Sequence, residues 1–139
     1  GSRGLGDVYK RQEDYSDYVE IARNAGAGET LDRIIPEIYN EAMFPGTSML
    51  YSFPSYVYSL WQEYSVEELE YIASFCKEKG IPAATVYWEY WSEETEKIFE
   101  KNGISLYVYT VNDRDQARRY ISQGAEGICT DFLTAEDLW

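Results

Sequence analysis

Carboxylate, amide and aromatic side chains stand at the ends of five short apolar runs in this chain. They are Glu37, Tyr39 and Asn40; Tyr51, Ser52 and Phe53; Tyr87, Trp88 and Glu89; Tyr109, Thr110 and Asn112; and Thr130 and Asp131. In α/β barrels, active sites form at the carboxyl ends of the strands. A rim of this composition suits a small polyol, a sugar or a phosphoester headgroup. We predict that Glu37, Tyr51, Tyr109 and Asn112 bind substrate.

The chemistry open to this chain alone is limited by what its sequence lacks. It contains no histidine, which removes every mechanism that needs a histidine base, acid or metal ligand. Ser52 lies outside a nucleophile-elbow context. Cys76 and Cys129 lack C-x-x-C spacing, so a zinc site and a disulfide scaffold are both disfavoured, and we predict one buried structural thiol each. We assign no catalytic residue and no metal ligand.

Each candidate also has a structural interpretation. Glu37 could point into a barrel mouth or sit at a sheet surface. Asn112 and Asp113 favour a helix cap, and Asp131 could cap the next turn. The aromatic run 87–91 could be a stacking platform or could pack a loop against a helix.

The elements that must position these residues follow a regular rhythm. We predict strands over 34–39, 49–53, 83–88, 106–110 and 127–130, which are nearly continuous apolar runs typical of strands covered on both faces. Ser65 with Glu68 predicts a capping box, Ser92 caps a second helix, and Asn112 or Asp113 caps a third. Glycines follow all three helices at Gly80, Gly103 and Gly124, where a left-handed cap is expected.

This repeated strand–helix unit predicts an α/β fold with parallel strands. The rhythm fits part of a (β/α)₈ TIM barrel or part of a doubly wound sheet. No glycine-rich phosphate loop follows a strand, which weakens the nucleotide-binding version. Five strands and 139 residues fall short of the eight strands and about 250 residues of a full barrel. We therefore predict a partial barrel made of about the last five βα units.

Composition bounds the partners and the domain organisation. The net charge is −13, from 12 basic and 25 acidic residues, which argues against nucleic acid or an anionic membrane surface. No apolar run is long enough to span a membrane. Residues 1–12 resemble a non-native adapter, so the domain is predicted over 13–139. The chain lacks a starting methionine, so an N-terminal signal could be lost, and cytoplasm is only the default location.

Three segments carry a family resemblance. They are Val108-Tyr109-Thr110-Val111-Asn112-Asp113, then Gly124-Ala125-Glu126-Gly127-Ile128-Cys129-Thr130-Asp131, and 33–40 as a mid-barrel strand. In order and separation they resemble the C-terminal part of the glycerophosphodiester phosphodiesterase family. The family tryptophan is Tyr109 here, and the family Val-Asp is Ala125-Glu126.

The resemblance implies a hydrolase of lipid metabolism that cleaves glycerophosphodiesters to a phosphomonoester and an alcohol. It also implies a divalent metal, Mg²⁺ or Ca²⁺, held by carboxylates, with two histidines as general acid and base. The motifs that supply those groups precede Ile34 in the family pattern and cannot be placed here. Glu13 and Asp14 are interpreted as the start of a helix, not as metal ligands. We expect this chain alone to be inactive and to contribute only one wall of the pocket.

Two alternatives from other classes stay open. The chain could be a fragment of a carbohydrate-acting barrel, which predicts that Glu37 and a second carboxylate lie about 5–10 Å apart in one mouth. It could also be a non-catalytic half-barrel that binds a partner or associates with itself, because open sheet edges seek pairing.

Overall fold

The computed structural model of the protein describes residues 35–138. The predicted adapter over 1–12, the predicted domain start at residue 13 and the helix opening at Glu13 and Asp14 lie outside the described residues. Within this range, no helix is both long and apolar enough to cross a membrane.

Five strands alternate with five α-helices. The strands are β1 (Glu37–Ile38), β2 (Val57–Leu60), β3 (Ala83–Tyr87), β4 (Ser105–Tyr109) and β5 (Gly127–Ile128). The helices are α1 (Met43–Leu50), α2 (Val66–Lys79), α3 (Glu93–Lys101), α4 (Arg114–Ser122) and α5 (Ala135–Leu138), with a 3₁₀ turn at Trp88–Tyr90. The first and last strands are shorter than predicted, and the predicted rhythm of strands and helices is otherwise confirmed from β3 onward.

The strands form one sheet in the order β1-β2-β3-β4-β5, and each neighbouring pair is parallel. A doubly wound sheet reverses its strand order at a switch point. The described sheet has no such reversal, so its topology is that of consecutive barrel units.

The predicted helix ends are confirmed. Ser65 accepts a hydrogen bond from the Glu68 amide while Glu68 reaches back to the Ser65 amide. Ser92 caps α3 through the Thr95 amide, and Asp113, rather than Asn112, caps α4 through the Gln116 amide. The glycines after the three helices all have positive φ angles.

The strand predicted over 49–53 is wrong. Residues 43–50 form α1, and the second strand lies later, at β2. The helix accepts Pro45 because its first turn has no intrahelical use for that amide. Asn40 supports its start, since its Oδ1 accepts a hydrogen bond from the Met43 amide at 3.1 Å.

The core lies between the sheet and its helices. Side chains alternate along β3 and β4: Ala84, Val86, Leu106 and Val108 face the helices and are buried, while most of their neighbours in the strands are only half-buried. The strands were predicted to be covered on both faces, whereas in β3 and β4 the face away from the helices is for the most part only half-buried. Cys76 is a buried thiol of this core, as predicted, whereas Cys129 is only half-buried.

Candidate functional site

The face of the sheet that points away from the helices is called the concave face below. Residues paired across neighbouring strands form rows of side chains on it. Glu37 pairs with Val57 at the edge, and Ser59, Thr85 and Tyr107 form the next layer with Gly127. An added Cβ at Gly127 would lie 3.0 Å from the Tyr107 ring, so glycine allows this close approach. The concave face is therefore polar and aromatic, in contrast to the apolar face that packs on the helices.

Tyr109 ends β4 on the concave face and is 4% exposed. Its Oη lies 3.5 Å from the Ser59 Oγ and donates to the Leu60 carbonyl oxygen at 3.5 Å. Its ring centroid lies 5.8 Å from that of Tyr87, in an edge-to-face arrangement that suits aromatic pairs. Tyr109 thus reaches across β3 to β2 and forms an aromatic wall at the carboxyl ends of three strands.

Glu37 lies at the opposite edge of the sheet, on β1. Burial raises the pKa of the Cys129 thiol, and the Glu37 carboxylate raises it further. A carboxylate disfavours a nearby thiolate only when the two groups are close. The register of the paired strands places Glu37 and Cys129 on the same face of the sheet, although they belong to β1 and to the segment after β5,.

Asn112 joins the segments that follow β4 and β5. Its Oδ1 accepts hydrogen bonds from the Thr130 hydroxyl at 2.9 Å and from the Asp131 amide at 3.0 Å. Its Nδ2 donates to the Asp131 carboxylate at 2.9 Å. Three hydrogen bonds occupy this amide, so the structure gives Asn112 a role in holding the rim together.

Tyr51 is the predicted site residue that the structure separates from the others. It follows the last residue of α1, and its ring packs 5.2 Å from that of Phe53. A helix that follows a strand in this fold returns the chain to the amino end of the sheet. Tyr51 therefore lies on the side away from Tyr109 and Asn112, because the predicted strand that placed it at the rim is a helix and loop.

The carboxyl end of β2 is the part of the rim that the prediction missed. Trp61, Gln62 and Glu63 follow this strand directly. The sequence did contain a signal for the position of β2. In the next two units, the residue that caps the helix lies within five residues of the end of the preceding strand. The cap at Ser65 therefore requires a strand that ends near residue 60.

The segments after the five strands, 39–42, 61–64, 88–92, 110–113 and 129–134, contain no lysine or arginine and carry several carboxylates. Such a rim repels a phosphate unless a cation intervenes. The described residues do not bring together three side chains of the kinds that hold a metal. By themselves they therefore do not fit the divalent cation that the sequence resemblance implies.

The site and fold define one wall of an α/β barrel, built from consecutive units. The family model of the glycerophosphoryl diester phosphodiesterase family matches residues 54–135, which is more than half of the chain. The chain belongs to this family.

Solved structures agree on the fold. A glycerophosphoryl diester phosphodiesterase from Silicibacter pomeroyi DSS-3 superposes with a TM-score of 0.65 at 15% identity, covering 86% of this chain and 42% of its own. A glycerophosphodiester phosphodiesterase from Parabacteroides distasonis ATCC 8503 gives a TM-score of 0.59 at 16% identity, covering 88% and 50%. No curated protein matches the sequence. The chain thus spans half or less of these structures, and the predicted partial TIM barrel is confirmed.

Proposed function

We propose that this chain forms the C-terminal wall of the substrate pocket in a glycerophosphodiester phosphodiesterase-like hydrolase. The observation that supports the proposal is that Glu37 and Tyr109 lie on the same face of a sheet of which residues 54–135 match this family. The whole reaction would convert a glycerophosphodiester to a phosphomonoester and an alcohol.

In this role the wall contacts the uncharged part of the substrate. The half-buried Tyr87 offers ring surface for a polyol backbone, the buried Tyr109 supports that ring from behind, and Glu37 offers acceptors for the hydroxyl groups of the substrate,. Asn112 acts by fixing the two rim segments that it joins. Tyr51 has no part in the proposal because of its position after α1.

The phosphate requires groups beyond the described residues. The rim is acidic, and the full sequence has no histidine to act as acid or base. The divalent cation, Mg²⁺ or Ca²⁺, and the proton-transfer groups would therefore come from a further part of the barrel. The chain alone is expected to bind the diester weakly and not to hydrolyse it.

Titration with glycerophosphoethanolamine, followed by NMR, tests this role. We expect chemical-shift changes at Tyr87, Tyr109 and the Asn112 side-chain amide, and Tyr109→Ala should reduce them. Tyr71→Ala, on the exposed face of α2, is the matched control and should not. Shift changes confined to the helix side of the sheet would contradict the proposal.

A further inference from the structure

A cavity, called the outer pocket below, opens on the helix side of the sheet, between the segments after β2 and β3 and the first turns of α2 and α3. Its volume is about 260 Å³. Its floor contains Leu60, Val86 and Leu69, whose side chains belong to the helix-facing core. The floor of this outer pocket therefore lies on the opposite face of the sheet from the proposed substrate wall, while its walls come from the segments after β2 and β3.

The walls of the outer pocket are aromatic. Tyr64, Tyr90 and Trp91 line it and are half-buried. Trp91 is held in place, because its Nε1 donates to the Gln123 Oε1 at 2.9 Å and its ring packs 5.9 Å from that of Tyr120. Aromatic faces held in this way attract a cation through their quadrupoles.

The rim of the outer pocket is acidic. Glu63, Glu89 and Glu94 line it and are exposed, so they border the opening. Among the described residues, no lysine or arginine lines the pocket. Burial, with smaller contributions from the Glu41 and Glu68 carboxylates, raises the pKa of Tyr64 to about 12. The Tyr64 hydroxyl is thus neutral near pH 7, and the surroundings carry negative charge only.

We infer that the outer pocket binds a small organic ammonium ion. An anion would meet three carboxylates at the opening. A bare metal ion needs several oxygen ligands in one shell, and the described residues form no such group. An alkylammonium uses all three features at once: its methyl groups contact the apolar floor, its charge faces the aromatic walls, and the carboxylates balance that charge.

The test uses tetramethylammonium chloride as the probe and tert-butyl alcohol as a neutral molecule of similar size, at constant ionic strength. The indole N–H signal of Trp91, assigned with Trp91→Phe, reports on the pocket. We expect saturable shifts with tetramethylammonium, a dissociation constant in the millimolar range, and binding at least tenfold weaker for tert-butyl alcohol.

Two pairs of variants distinguish local from general charge effects. Glu89→Gln with Glu94→Gln should weaken binding about tenfold. Glu67→Gln with Glu78→Gln removes the same charge from α2 outside the pocket and should change binding less than twofold. Equal binding of the neutral molecule, equal weakening by both pairs, or the absence of a saturable shift would each overturn the inference. Circular dichroism of each variant verifies that it folds.

Discussion

The carboxyl group of Glu96 makes folding sensitive to pH. Glu96 lies on α3 and is 8% exposed. Its Oε2 is buried and has no hydrogen-bond partner among the described residues. Burial, followed by the Glu100 and Glu126 carboxylates, raises its pKa from 4.5 to about 7.

The sign of the effect follows from proton linkage. The folded chain holds the Glu96 proton more tightly than the unfolded chain does. Protonation of Glu96 at low pH therefore stabilises the folded state, and ionisation at higher pH destabilises it. Its contribution is fully present below about pH 4.5 and is lost as the pH rises to about 7,. A pKa change of this size corresponds to about 3 kcal/mol. Solvent screening from the nearby surface reduces our expectation to about 1–2 kcal/mol.

Glu96→Gln removes the titration and keeps the shape of the side chain. We expect it to raise the free energy of unfolding by about 1–2 kcal/mol at pH 8 relative to its effect at pH 5, because only the parent chain must bury an ionised carboxylate. Urea denaturation at the two pH values measures this difference. Glu93→Gln, which removes the same charge from an exposed position in the first turn of the same helix, is the control for a general effect of charge. Equal effects of Glu96→Gln at both pH values would refute the reasoning.

Three further predictions follow from the same contacts. Asn112→Ala should lower the free energy of unfolding by about 1–3 kcal/mol, since it removes three hydrogen bonds between rim segments,; urea denaturation checks this against Gln116→Ala, and equal losses would contradict it. Gly124→Ala should cost more than Gly80→Ala, because both have positive φ but only Gly124 has a close neighbour, the Glu96 Cγ, 3.1 Å from an added Cβ,; thermal melts rank the two, and the reverse order would be inconsistent with this packing. The half-covered concave face should make the chain melt below about 60 °C or self-associate; a monomer in size-exclusion chromatography with a sharp, reversible transition above that temperature would show the opposite.

Much of the fold is readable from local signals in the sequence. The capping box at Ser65, the caps at Ser92 and Asp113, and the glycines with positive φ all encode helix ends through short-range geometry,. Successive signals of this kind bracket the strands β3, β4 and β5. The repeated strand–helix unit and the parallel sheet therefore follow from sequence alone.

The misplacement of β2 shows what such signals leave out. The run 49–53 has the apolar character of a strand, and the Pro45-Gly46 pair argues against a helix on propensity alone. The structure nevertheless forms α1 there, because Met43 is buried in the core and Asn40 supports the helix start. The burial of Met43 in the core thus outweighed the low helix propensity of this segment. As a result, Tyr51 follows a helix and does not lie at the end of a strand, as predicted.

The candidate site was predictable only in part, for a related reason. Alternation on a strand gives the side of Glu37 and Tyr109 but not the partners of their polar atoms. The contact of Tyr109 with Leu60 and the bridge from Asn112 to Asp131 join residues 49 and 19 positions apart. Such contacts depend on sheet register, which no local pattern specifies.

We propose that this chain is one wall of a phosphodiesterase barrel whose reactive groups lie elsewhere. The most direct measurement is to determine the coding sequence that precedes the codon for Glu13 in the source DNA, and to assay the protein encoded by that frame. We expect a continuous frame that encodes the histidines and the metal-binding carboxylates that the family resemblance implies, and release of glycerol phosphate from a glycerophosphodiester when Mg²⁺ or Ca²⁺ is supplied. A start codon immediately upstream, with no such residues encoded before Glu13, would contradict this proposal and would favour a half-barrel that binds a partner or self-associates.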